Sequence, residues 1–127
     1  MSLLKKIKDK KVNFEFNKEY LKVLTSKIIN NDALFINNSF KEMHPADAAD
    51  IIEHLSEENR EKLIKLNNFQ IDPQVFIELN ESVQEEIIKY LSSDAIVSIL
   101  KNLESDDAIK ILESVDEKNK NIILSSL

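Results

Sequence analysis

With 127 residues and 43% apolar side chains the chain can bury one core, as a single domain or one part of a larger protein, and no apolar run is long enough to cross a bilayer. Glycine and cysteine are absent and histidine occurs twice, which excludes phosphate-binding loops, dinucleotide fingerprints, nucleophile elbows, disulfides and zinc-thiolate sites, and leaves little with which to build an enzyme. Residues 1–40 hold eight lysines against four acids, and residues 41–127 hold nine basic against nineteen acidic side chains. The acidic part repels nucleic acid and anionic lipid and attracts cations or basic surfaces, although a solvated acidic face kept for solubility gives the same balance.

The first stretch, "MSLLKKIKDKK", is basic, and its apolar part is too short for a signal peptide. Residues 1–17 are expected to form a weakly attached segment, either a basic tail or an amphipathic first helix. "KEYLKVLTSKIIN" and "NDALFINNSFKEM" predict two helices, with Tyr20, Leu21, Leu24, Ile28 and Leu34 as core candidates. "HPADAADIIEHL", from His44 to Leu55, reads as a helix started by Pro45, where a missing N–H costs nothing, with Asp47 near the positive helix end.

From Asp47 onward the sequence repeats. Apolar residues close successive units at Leu55, Leu66, Leu79, Leu91, Leu103, Val115 and Leu127, spaced by 11 to 13 residues. Apolar pairs stand four and three positions earlier, at Ile51/Ile52, Val75/Phe76, Ile87/Ile88, Ile99/Leu100, Ile111/Leu112 and Ile123/Leu124; the unit ending at Leu66 departs, with Lys62 and Leu63 there. Positions i, i+1 and i+4 share a helical face, so each unit is a short amphipathic helix. Ser56, Ser105 and Asp116 are candidate caps ahead of acidic first turns. A twelve-residue period fits no heptad. Helices this short must stack on their neighbours, two per repeat of about 24 residues, and "NNFQIDP", Asn67 to Pro73, is expected to be a longer connection. The fold class is therefore all-α, a superhelical solenoid of about 8–10 short helices, of either hand.

Asp47, Asp50 and His54 lie at i, i+3 and i+7, a spacing a transition-metal site could use and a solvated helix face explains equally. The solvated face is the preferred reading. His44 is expected to hydrogen-bond at the helix entry. No serine pairs with either histidine as a nucleophile, so the protein is not expected to be an enzyme.

"HPADAADIIEHLSEENREKLIKL" followed by "LSSDAIVSILKNLESDDAIKILESV" resembles the N-terminal cytosolic domain of MgtE-type magnesium transporters over roughly residues 18–127. The anchor H-P-A-D-x-A-D is fairly specific, whereas the later repeats are specific only in combination. The resemblance implies the regulatory module of a homodimeric transporter on the cytoplasmic side of the bacterial inner membrane. CBS domains and a transmembrane pore would follow in the same polypeptide, with no membrane insertion by this segment itself. It also implies that Mg²⁺ bridges acidic surfaces of this domain and the CBS domains, and that loss of the ion lets them separate and the pore open. Such an ion keeps several waters and takes few protein carboxylates, which suits a weak site shared between domains.

The family's acidic pattern at a late repeat falls on "SDDAIK", so the resemblance implies Asp106 and Asp107 as metal-facing residues. The third position is Lys110, and a further family glutamate falls at about Gln74. Glu78, Glu104 and Glu113 are the available substitutes, and first-turn capping is the structural alternative for both aspartates. The flagellar motor switch protein FliG resembles the same superhelix and has its own His-Pro repeat; on that reading the domain would be a protein–protein scaffold without a metal role.

Overall fold

The computed structural model describes residues 14–127, with side chains from Lys18 onward; the basic stretch before Phe14 lies outside the described residues. The described residues are all-helical: α1 (Phe14–Ile29), α2 (Ala33–Glu42), α3 (Pro45–His54), α4 (Glu57–Ile64), α5 (Pro73–Glu78), α6 (Glu81–Ile88), α7 (Ser93–Lys101), α8 (Ser105–Glu113) and α9 (Glu117–Ser126).

Most helices begin on a side chain that accepts a hydrogen bond from their own first turn. Asp32 takes the Phe35 N–H at 3.2 Å, Ser56 that of Asn59 at 3.2 Å, Asp72 that of Gln74 at 2.8 Å, Asn80 that of Val83 at 2.9 Å, Ser92 that of Ala95 at 3.1 Å and Asp116 that of Asn119 at 2.8 Å. Each satisfies a donor that would otherwise be orphaned. Ser56 and Asp116 act as expected. Ser105 does not: it is the first residue of α8, and the cap position falls on Glu104, whose side chain accepts no hydrogen bond there. The glutamate stem is a poor substitute for the short oxygen-bearing side chains that reach back into a first turn.

Packing follows alternate helices. α3 packs on α5, α5 on α7 and α7 on α9, while α4 packs on α6; α1 sits against α2 and α4. Two rows of alternating helices are what a two-helix repeat requires. The apolar pairs supply the seams, and they keep a register of 24: Ile51/Ile52, Val75/Phe76, Ile99/Leu100 and Ile123/Leu124 in one row, Leu63/Ile64, Ile87/Ile88 and Ile111/Leu112 in the other. Ile52, Leu63, Phe76, Ile87 and Ile123 are entirely buried or nearly so. The unit that departs in the sequence is thus displaced by one residue. Its pair is Leu63/Ile64, because Leu66 closes one position early, where the register has Asn67.

Residues 65–72 make the longer connection, and Asn68 turns it with a left-handed φ of 62°, a conformation asparagine tolerates better than most residues. Pro73, expected inside that loop, is instead the first residue of α5. Asn31 (φ 58°) makes the corresponding turn between α1 and α2. Tyr20, Leu24 and Ile28 are core, at successive i+4 steps along α1, and Leu21 packs at the edge. Leu34 is 74% exposed and Ile36 is buried in its stead. Asp32 fixes the start of α2, which turns Ile36 inward, and a residue two places away points to the opposite side. The seam fades towards the end of the chain, where Leu124 and Leu127 are exposed.

One polar assembly ties the rows together. Arg60 of α4 forms a bidentate pair with Glu86 of α6, Nε at 3.0 and 3.1 Å and Nη2 at 2.8 Å, and both side chains are at most 16% exposed. Its Nη1 donates to the carbonyl of Leu55 at 2.7 Å and, at 3.3 and 3.4 Å, to those of Glu53 and Ile52. These carbonyls lie at the C-terminal end of α3, where intrahelical donors run out; that of Ile52 also accepts the Leu55 N–H. The Tyr90 hydroxyl donates to Glu86 Oε2 at 3.0 Å. Burial alone would raise the Glu86 carboxyl, but the hydrogen bonds from Arg60 and Tyr90 and the guanidinium charge outweigh it and hold it below the usual carboxylate range. Burial and the Glu86 charge push the Tyr90 hydroxyl up to about 12.

Glu86 therefore stabilises the fold at pH above the 4.5 of an ordinary glutamate, and that contribution is lost as pH falls through its lower folded value. Glu86→Gln should cost about 2 kcal/mol in urea unfolding at neutral pH, and the variant should lose less stability than the parent between pH 5 and pH 3. A parallel acid profile in the two proteins would contradict the assignment. Tyr20 offers the opposite case: its hydroxyl is buried without a hydrogen bond of full geometry, and burial raises its pKa with only partial relief from Ser39. Tyr20→Phe should leave thermal stability unchanged or raise it by about 1 kcal/mol; a clear loss would mean that the hydroxyl is satisfied.

Candidate functional site

Asp106 and Asp107 occupy the first turn of α8, and both are exposed. Because Glu104 provides no side-chain cap, their negative charge acts on free N–H groups at the helix start through the macrodipole rather than through a formed capping bond. Neither carboxylate takes part in an ion pair or side-chain hydrogen bond. Lys110, one turn further along α8, and Glu113 at its end are exposed as well. The remaining positions suggested by the sequence lie elsewhere. Gln74 is exposed in the first turn of α5, where its N–H is occupied by Asp72, and Glu78 is exposed at the end of that helix.

α8 is lightly seated, and like α9 it has a single buried side chain. In α8 that side chain is Ile111; Ala108 and Leu112 are partly covered, and Ile109 is 53% exposed. The pair of aspartates is thus presented to solvent on a helix with little beneath it. Among the described residues no group of three or more histidine, cysteine, aspartate or glutamate side chains is placed to hold a metal ion. Two exposed carboxylates can meet a hydrated divalent cation through its water shell.

The histidines do not form a centre. Asp47, Asp50 and His54 are exposed on α3, and His54 Nδ1 lies 2.7 Å from the Asp50 carbonyl and 3.5 Å from its carboxylate. That is the solvated face the spacing allowed. His44 does stand at the cap position of α3, but its side chain makes no capping hydrogen bond, a correction to the expected role. The extended backbone before Pro45 carries the helix entry by itself.

A groove of about 1110 Å³ runs between the end of α2, the 65–72 connection and the starts of α5 and α7, lined by Phe40, Met43, Ile64, Phe69, Tyr90 and Leu91. Phe40 and Phe69 meet edge to face at 5.3 Å. Lys41, Lys65, Asp72 and Asp94 also line it, so its charge is balanced. The groove has no histidine in its lining.

Two residues that matter to the architecture, Arg60 and Glu86, escaped the sequence reading. A signal for Arg60 existed in the register: Arg60 and Gln84 hold the same place in successive repeats, four positions after caps Ser56 and Asn80. Both reach back eight residues to a carbonyl, Arg60 to Ile52 and Gln84 to Phe76, the latter at 2.8 Å.

Since Asp106 and Asp107 rest on nothing but their own helix, Asp106→Asn and Asp107→Asn should each lower the stability of this chain by about 0.5 kcal/mol or less, the scale of a lost dipole interaction. A loss several times larger would show a structural contact that exposure conceals.

The family model of the MgtE intracellular N domain matches the chain over residues 43–127. No curated protein and no solved structure gives a match.

Proposed function

The chain belongs to the family of MgtE intracellular N domains, and from that premise we propose that it is the cation-responsive regulatory module of a magnesium transporter. A domain of this family is a cytosolic part of such a transporter, and the family is not one of enzymes. The observation that carries the finer reading is the placement of Asp106 and Asp107, exposed and unpaired at the start of α8 within the acidic part of the chain.

In the proposed mechanism this acidic surface faces CBS domains of the same polypeptide, and hydrated Mg²⁺ bridges the two. The ion's charge offsets a repulsion that would otherwise push the surfaces apart, so ion occupancy selects the joined state. The joined state closes the pore of a homodimer, and falling cytosolic Mg²⁺ releases it. A millimolar site corresponds to about 4 kcal/mol, within reach of a few water-mediated contacts. Lys110 and Gln74 stand where the family pattern has acids, so this chain places less negative charge on the bridge, with Glu104 and Glu113 as the nearby replacements. The domain contributes surface only: among the described residues no helix is long and apolar enough to cross a membrane.

In the complete transporter, raising Mg²⁺ into the millimolar range should protect this domain from limited proteolysis. Asp106→Ala should shift that protection to higher Mg²⁺ while leaving the helical circular dichroism intact. Cleavage that ignores Mg²⁺ would remove the sensing role, and a wild-type response in the variant would remove Asp106 from the bridge.

A further inference from the structure

The 24-residue register allows the joint between one pair of repeats to be compared with the next, residue for residue. At the first joint three polar ties cross between helices. Arg60 pairs with Glu86, Arg60 also takes up the terminal carbonyls of α3, and Glu53 Oε2 accepts the Asn80 N–H at 2.7 Å where α6 begins. Twenty-four residues on, two of the three ties lose a partner, while Gln84 keeps a single bond to the Phe76 carbonyl at the end of α5. Gln84 replaces Arg60 and Lys110 replaces Glu86, so no ion pair can form. Ile77 replaces Glu53, leaving the Glu104 N–H without that carboxylate. One helix further, Ala108 stands where Arg60 and Gln84 donate, so nothing from α8 reaches back to the end of α7. α8 also lacks a side-chain cap and keeps one buried side chain.

We infer that α8 is a compliant element, held by its two chain connections and a thin apolar seam, between neighbours that stack on each other. α7 and α9 pack on each other directly, so the row they belong to does not depend on α8. Local opening free energies follow buried apolar contact and protected hydrogen bonds, and α8 is poor in both. α8 can therefore loosen or shift without unstacking the rest of the domain. Where the Mg²⁺ reading above holds, the cation-facing aspartates ride on this element, and ion binding would order it; that last step rests on the proposed function, whereas the compliance does not.

Hydrogen exchange on the isolated chain tests the compliance. Amides of α8 should exchange about tenfold or more faster than those of α6 under native conditions. Equal or slower exchange overturns the inference. Transplanting the first joint's ion pair with Gln84→Arg and Lys110→Glu together should slow α8 exchange towards that of α6, and by more than the two single substitutions combined. A double variant that folds with unchanged α8 exchange shows that the missing tie is not the cause. Mg²⁺ titrated onto the complete transporter forms a separate arm. Exchange in α8 that slows with the ion supports the coupling; fast α8 exchange that ignores the ion leaves compliance standing and removes the cation role.

Discussion

Arg60 meets three demands with one guanidinium. The C-terminal end of α3 leaves carbonyls that need donors, Glu86 needs a counter-charge to remain ionised while nearly covered, and the two helical rows need something to fix their relative position. A lysine could supply the charge but not the planar fork that serves a carboxylate and a carbonyl cluster at once. Without it, Glu86 would stand partly desolvated and unpaired, and Tyr90 would be left beside an uncompensated charge. The chain has no glycine with which to end a helix in a left-handed turn, so several terminal carbonyls are answered by side chains of the next helix instead. The firmest part of the molecule is therefore α3 to α6, and stability falls away along the rows from there.

The acidic surplus is not spread at random. Asp32, Asp72 and Asp116 cap helices, and Glu57, Glu58, Asp47 and Glu117 sit in first turns, where the helix field favours them. A short-helix repeat exposes many helix starts and therefore accommodates many carboxylates at little cost. Most of these groups serve local structure, and Asp106 and Asp107 share the first-turn placement of Asp47, Glu57 and Glu58, in their case at the start of a helix without a side-chain cap.

Much of this architecture was legible because the apolar pairs recur with a fixed period, and periodic burial is what sequence expresses most directly. Helix type, approximate boundaries, the connection before α5 and the core positions of α1 all follow from that pattern. Leu34 misled because hydrophobicity does not say where a helix begins; Asp32, not the leucine, sets which face of α2 turns inward. Ser105 misled for a related reason, since a good cap residue one place too late becomes part of the helix. Arg60 and Glu86 lie 26 residues apart, and nothing local marks two ordinary charged residues as partners. At the candidate site, the positions of Asp106 and Asp107 at a helix start were legible. That α8 would sit so lightly was not, because it depends on what is absent one repeat earlier, at Ile77 and Gln84.

The fixed register also governs how the gene for such a domain can change in length. Every polar tie described spans at most one neighbouring repeat, so excising or duplicating 24 residues within the repeats would join ends of matching kind and keep each row intact. Removing 12 would send every later helix into the wrong row, carrying its donors away from the carbonyls they answer. The 65–72 connection is the exception, since extra residues there lengthen a loop and leave both rows undisturbed. Growth by whole helical pairs, and drift in length confined to that single loop, is the pattern of change this architecture permits.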